Sequence, residues 1–158
     1  MHASDAAIVA ELSAELGYPA SAVLITERIA LLSDQTTHRL LVAELAPDSL
    51  IGWVYVYGVK SFQADRYAEI GGLVVGTRAR RTGAGSGLMQ AAEAWAHQQG
   101  YASMRLRSGM HRPEAHLFYA AIGYGKVRES MLFQKGLATQ FTHAAGSTTT
   151  RIHPPLQT

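Results

Sequence analysis

Apolar residues in the first third of the chain recur at helical spacing. Ile8, Val9, Leu12 and Leu16 follow Ser4 or Asp5 as candidate N-caps and stop at Gly17-Tyr18-Pro19, which predicts a first helix. Ser21 then precedes Val23, Leu24, Ile29, Leu31 and Leu32, a second helix ending near Ser33-Asp34. The pattern next changes to stretches rich in Val, Ile, Tyr and Trp, Arg39 to Leu45 and Leu50 to Val59, separated by the turn signal Pro47-Asp48-Ser49. A hairpin is expected there. After a polar loop, Lys60 to Arg66, a third strand runs from Tyr67 to Val75 and carries Gly71-Gly72, a pair that permits a bulge or a close backbone approach. Gly76 to Gly87 is rich in Gly and Arg, and Leu88, Ala91, Ala92, Trp95 and Ala96 resume helical spacing until Gly100. Tyr101 to Arg107 reads as a strand, Pro113 to Ile122 as a short helix closed by Gly123-Tyr124-Gly125, and Met131 to Leu137 as a last strand.

Helices, then antiparallel strands, then alternating strand and helix imply an α/β (α+β mixed) fold. Its centre is a mixed, mostly antiparallel sheet with helices on both faces. The link from the third strand through the long helix to the next strand is a parallel crossover. In such folds ligands favour the carboxyl ends of the strands, where the glycine-rich turn lies.

Composition narrows the function. The 158 residues suit one domain, and 47% apolar with 16% charged residues exclude a disordered chain and a membrane span. With Cys 0 there is no disulfide framework, thiolate metal site or cysteine nucleophile, and no His pair has the spacing of a helical zinc site. Met1-His2-Ala3-Ser4-Asp5 has neither a basic start nor a long apolar run, so a cytoplasmic location is expected, with no membrane partner. A net charge of +2 supports only weak attraction to polyanions. Arg78, Arg80 and Arg81 do cluster, but no RNA-binding aromatic motif or zinc-finger spacing accompanies them. No nucleic-acid partner is expected, and a local phosphate site fits the arginines better.

The turn Arg80-Arg81-Thr82-Gly83-Ala84-Gly85-Ser86-Gly87 joins a strand to a helix, so its N–H groups can converge at the positive end of a helix dipole. Positive φ and bare Cα atoms let main chain approach an anion such as a pyrophosphate. A nucleotide P-loop needs a Lys after its last glycine, and none is present. A dinucleotide fingerprint needs Gly-x-Gly-x-x-Gly, whereas the glycines here fall at 83, 85 and 87.

Arg80-x-x-Gly83-x-Gly85 directly after an apolar strand, with Glu69 eleven positions before the Arg, resembles the acetyl-CoA signature of the GNAT superfamily of N-acyltransferases. The stretch Ala115-His116-Leu117-Phe118-Tyr119-Ala120-Ala121-Ile122-Gly123-Tyr124 is similar to that family's late helix. The resemblance implies a GNAT-like sheet and a single N-acetyltransferase domain over residues 4–140, while Ala144 to Thr158, Thr-, Pro- and Gly-containing with too few apolar groups to repay ordering, makes 141–158 an expected extended or loose C-terminal tail. The resemblance also implies acetyl-CoA as co-substrate. The backbone of Leu73, Val74 and Val75 would pair with the pantetheine arm, with an N–H, that of Val74, polarising the thioester carbonyl. Arg81, Thr82, Gly83, Ala84, Gly85 and Ser86, running on to Gly87, would cradle the pyrophosphate, with Arg80 bracing the turn. Many relatives carry an Asn between Ser108 and Arg112, where this chain has Gly109 and Met110.

A lysine-like amine needs about 4–5 kcal/mol to lose its proton at neutral pH, so a proton acceptor is required. The resemblance offers Glu69, directly or through a water, while an ordinary strand glutamate is the competing reading and the glycine pair leaves its face open. Tyr119 is the candidate to support the leaving sulfur, with a core-edge aromatic beside Phe118 as the competing reading. A phenol near pKa 10 is less acidic than a thiol near 8.5, so full proton transfer is uphill by roughly 2 kcal/mol and a hydrogen bond suffices. His111 and His116 are alternative bases, although surface histidines are commoner. No metal is expected. The resemblance implies transfer to a primary amine, and with no cysteine to carry an acyl group direct attack is expected. A small-molecule acceptor heads the list, and Ser61–Asp65 with Tyr67–Gly72 looks similar to members near the aminoglycoside N-acetyltransferases. A polycation pocket would need acids, and Asp34, Asp65 and Glu69 are the candidates. A protein lysine or N-terminal amine is the alternative acceptor, and a non-catalytic CoA-binding sensor or interaction module is the alternative class. The Tyr- and Val-rich edge strands raise the expectation of a homodimer.

Overall fold

The β-branched and aromatic run from residue 38 to 75 builds the sheet around which the rest is arranged. In the computed structural model, which describes residues 1–47 and 49–136, β1 (His38–Glu44), β2 (Leu50–Val59) and β3 (Tyr67–Val75) form an antiparallel meander. β4 (Met104–Leu106) joins β3 in parallel, giving the order β1-β2-β3-β4. This is the mixed, mostly antiparallel sheet expected from the sequence, and the crossover from β3 to β4 passes through a helix as the pattern required.

Two helices pack on one face. α1 (Ala6–Leu16) ends at Gly17, whose φ of 97° lets Tyr18 N–H return to the Ser13 carbonyl at 2.9 Å. The expected Asp5 cap is only positional, because its carboxylate accepts from the His2 N–H at 2.6 Å instead of capping α1. α2 (Ala22–Ser33) starts at Ser21, whose hydroxyl accepts the Leu24 N–H at 3.2 Å. Val9, Leu12, Ile25 and Ile29 bury against Leu50 and Val74 on this face. α3 (Ala84–Gln98) covers the opposite face, where Leu88, Met89, Ala92 and Trp95 meet Val54, Val56, Ala68 and Ile70. α4 (Pro113–Ala121), with proline at its first turn, adds Phe118 and Tyr119 to the edge of that core.

A bulge in β3 determines which way its side chains point. Gly72 pairs with Tyr55 and Ile70 with Val56, so Gly71 stands unopposed. Before the bulge Ala68 and Ile70 face α3. After it Leu73 and Val75 do, and Val74 turns to the α1/α2 core. Both glycines are also close approaches: a Cβ on Gly71 would stand 2.5 Å from the Tyr55 ring, and one on Gly72 would stand 2.8 Å from Trp53.

Three expectations are corrected. α3 begins at Ala84, so the end of the glycine-rich turn is its first helical turn. The strand expected over Tyr101–Arg107 is only Met104–Leu106, paired with Ala68–Ile70, because the bulge turns β3 away from its parallel neighbour. The strand expected over Met131–Leu137 is not formed through Gly136, and Met131, Leu132 and Phe133 are exposed. Successive apolar residues alternate between faces, so such a strand needs a ladder and cover on both sides. Leu137 and the expected tail lie outside the described residues. Met1–Gly125 forms one compact unit, and the described part of the next, residues 126–136, contains a Lys126–Glu129 ion pair at 2.6 Å. Among the described residues no helix is long and apolar enough to cross a membrane.

Candidate active site

The segment after β3 is shaped by its backbone. Thr77–Ala79 makes one 3-10 turn, Arg80 is extended, and Arg81 takes a φ of 67°, the one non-glycine residue with positive φ among those described. Such a conformation costs a β-carbon-bearing residue roughly 1–2 kcal/mol. Gly83 follows at φ 90° as the α3 N-cap, and the Thr82 hydroxyl donates to the Ala79 carbonyl at 2.8 Å. The first N–H groups of α3 have no partners inside the helix and carry its positive dipole end. Gly85 serves packing: a Cβ there would sit 3.4 Å from the Phe118 ring of α4.

A groove of about 750 Å³ opens between the end of β3, this loop, the end of α1 and α4. Leu73, Val74, Val75, Arg80, Arg81, Gly83, Gly85, Ser86 and Tyr119 all line it. Thr82, Ala84 and Gly87 do not. They face a smaller cavity of about 330 Å³ beside β1 and the start of β2. The helix explains the division, since Ala84 and Gly87 are three residues apart and share a face turned from the groove.

β3 presents a free edge to the groove, because β4 pairs only with Ala68–Ile70. The Gly76 N–H bonds the Ile51 carbonyl at 2.9 Å, and opposed pairs alternate along an antiparallel ladder. Val74, two residues back and opposite Trp53, shares the phase of Gly76 and directs its N–H at β2. The N–H expected of Val74 is therefore committed to the ladder, and the outward main-chain groups belong to Leu73 and Val75.

Two polar contacts hold the groove's walls that sequence reasoning did not single out. The Glu15 carboxylate, on the last turn of α1, accepts from the Thr77 N–H at 2.9 Å and its hydroxyl at 2.8 Å. Those bonds, with Arg80 and Arg78 nearby, hold its carboxyl below the usual range. Arg112, the α4 N-cap residue, donates to the Leu16 carbonyl and so ties α4 to the end of α1. Neither contact has a local signature, since the partners stand 62 and 96 residues apart.

Tyr119 is half-buried beside Phe118 and edge-on to Tyr124, at centroid separations of 5.2 and 6.1 Å. Burial pushes its phenol up, with Arg112 opposing in part. Tyr124 is itself pinned by a 2.8 Å bond from its hydroxyl to Glu93. Glu69 lies outside the groove, on the sheet face opposite α3, which settles the face left open by the glycine pair. Its side chain is 12% exposed, and its carboxylate lies 3.3 Å from the guanidinium of Arg107, whose side chain is 73% exposed. His116 bonds the Gly109 carbonyl at 3.0 Å, and neither it nor His111 lines the groove. Asp34 and Asp65 are exposed loop residues.

The family model described as acetyltransferase (GNAT) matches residues 7–124. No curated protein matches the chain. Solved structures similar to it include a transcriptional regulator from Bacillus halodurans C-125, with TM-score 0.74 and 20% identity over 83% of this chain and 93% of that one. The aminoglycoside antibiotic 6'-N-acetyltransferase AAC(6')-Ih from Acinetobacter baumannii gives TM-score 0.74 and 20% identity, covering 87% of this chain and 96% of that one. AAC(6')-Iy in complex with the bisubstrate analog CoA-S-monomethyl-acetylneamine gives TM-score 0.74 and 14% identity, over 87% and 95%. At these identities the likeness is one of fold. The family model spans most of the chain, including the loop and late helix that enclose the groove, and the chain belongs to the GNAT family of acetyltransferases.

Proposed function

We propose that the protein transfers an acetyl group from acetyl-CoA to a primary amine of a small molecule by direct attack. The observation that carries this reading is the meeting, in one groove, of a free strand edge, a helix N-terminus flanked by two arginines, and a half-buried tyrosine. The donor set fits the coenzyme. The outward main chain of Leu73 and Val75 would hold the pantetheine amides, and the N–H groups opening α3, with Arg80 and Arg81, would hold the pyrophosphate. When bound, acetyl-CoA supplies an activated acyl group whose thiol departs. The chain's own groups do the rest. An outward N–H of Leu73 or Val75 stabilises negative charge developing on the carbonyl oxygen. Tyr119 donates a hydrogen bond to the departing sulfur, and Glu69 accepts the amine's proton directly or through a water. The new C–N bond replaces the C–S bond, with one proton lost by nitrogen and one taken up by the thiol.

The similarity to a protein solved with a CoA bisubstrate analog supports coenzyme use, and the aminoglycoside N-acetyltransferases among the similar folds support a small-molecule acceptor. The test is thiol release from acetyl-CoA across a panel of amines, run beside calorimetry. Heat on adding acetyl-CoA with amine-dependent thiol release is expected. Binding with no release on any small amine, protein lysine or N-terminal peptide would favour a sensor, and absence of heat on folded protein would end the reading.

A further inference from the structure

Next to the groove, one half of the sheet carries a face that joins neither core. His38 on β1, Tyr55 and Tyr57 on β2, and Tyr67 and Glu69 on β3 share it with Arg105 on β4, and Arg107, just past the end of β4, reaches it through its ion pair with Glu69. The α1/α2 core covers the other half, where Leu40, Val42, Trp53 and Val74 lie. His38, Tyr55 and Tyr57 form a near-parallel array, with centroids 5.2 to 5.8 Å apart and interplanar angles of 9° to 26°. A 2.7 Å bond between His38 Nδ1 and the Tyr55 hydroxyl locks it. All three rings are only half-buried. The bare Gly71 lets the Tyr55 and Tyr57 rings lie over β3, between Glu69 and the strand edge of the groove. A flat aromatic surface therefore adjoins the carboxylate assigned to take the amine's proton.

The charge on this face is one-sided. Arg105 stacks on Tyr67 at 3.9 Å, Arg107 pairs with Glu69 at 3.3 Å, and among the described residues of this face Glu69 is the one acid set against two guanidiniums. Asp34 and Asp65 lie in the loops before β1 and β3 and not on the strands that form this face. A polycationic acceptor would bring several ammonium groups beside two arginines and find on this face the single carboxylate of Glu69. A molecule with one amine, a flat body and one anionic group would satisfy Glu69, the rings and the guanidiniums together.

Resting on the acetyl-transfer reading above, we propose that the acceptor is an aromatic monoamine bearing a carboxylate, of the aromatic amino-acid class, held on the His38–Tyr55–Tyr57 array with its carboxylate toward Arg105 and Arg107. The experiment compares tyrosine and tryptophan with tyramine, which lacks the carboxylate, and with kanamycin, using thiol release by the full chain and calorimetry with acetyl-CoA. The expected kcat/KM is at least tenfold higher for an aromatic amino acid than for tyramine, and higher for tyramine than for kanamycin. In Arg105→Gln the loss with the amino acid should exceed the loss with tyramine at least fivefold, and should appear in KM. A higher kcat/KM for kanamycin than for either aromatic class overturns the proposal, as do equal losses in Arg105→Gln. Bound acetyl-CoA with no release on any aromatic amine overturns the acceptor class while leaving the coenzyme reading standing. Absence of heat with acetyl-CoA overturns both. The wild-type panel decides the class should the variant fail to fold.

Discussion

Replacing Tyr119 by phenylalanine removes one oxygen from a half-buried ring at the wall of the groove and leaves the ring contacts with Phe118 and Tyr124 in place. Burial raises the phenol above its ordinary value, so handing its proton to a thiolate is uphill by more than the roughly 2 kcal/mol that separates a free phenol from a free thiol. The group acts as a hydrogen-bond donor to developing charge. Such a bond is worth about 1.5–3 kcal/mol, which corresponds to a loss of about 10- to 150-fold in kcat. Affinity for acetyl-CoA should stay within about twofold, since the charge on sulfur is absent from the ground state. Stability should stay within about 0.5 kcal/mol, because the ring keeps its packing. Because the phenol remains protonated, the wild-type rate should show no falling limb from Tyr119 below pH 10. Thiol release under saturating acetyl-CoA, with calorimetric Kd and a thermal melt on the same samples, separates these quantities. A kcat within twofold of wild type would refute the leaving-group role. A Kd that rises as far as kcat falls would show instead that the hydroxyl binds substrate and transition state alike.

Two glycines of the turn should respond with opposite signs. Gly83→Ala places a β-carbon at φ 90° and is expected to cost about 1 kcal/mol, whereas Gly87→Ala, inside α3 with open space around the new methyl, should gain about 0.5–1 kcal/mol. Each kcal/mol moves Tm by about 2–4 °C in a chain of this size, and two shifts of the same sign would contradict the geometry. Acid sensitivity should be traceable to Glu15. Its folded pKa is lowered from 4.5 by the Thr77 bonds, so its contribution is present above the unfolded value and is lost as pH falls through the folded one. Urea midpoints at pH 7 and pH 3 should therefore differ less in Glu15→Gln than in wild type, and an equal difference would remove the assignment.

Local patterning determined the elements and their order. The spacing of Ile8, Val9, Leu12 and Leu16, the hydroxyl of Ser21, Gly17 and Pro113 each act within a turn of their own position, and each appears where it was expected. The loop from Arg80 to Ser86 and the helix through Tyr119 were legible for the same reason, as short motifs with their chemistry in consecutive residues. What the sequence could not show depends on partners distant along the chain. Gly71 was readable as a bulge candidate, but only its pairing against Tyr55 and Val56 decides that Glu69 turns to the face opposite α3. The ladder's phase, carried by the Gly76 bond to Ile51, decides that Val74 is not an outward donor. Helical rotation removes Ala84 and Gly87 from the groove, and the loop before the helix turns Thr82 the same way, although all three sit among residues that line it. The aromatic face lay half in view, as the alternations Tyr55-x-Tyr57 and Tyr67-x-Glu69, each of which puts two side chains on one side of a strand. Their assembly into one surface is a matter of register across four strands, and a β-ladder assigns register through contacts that no single strand contains.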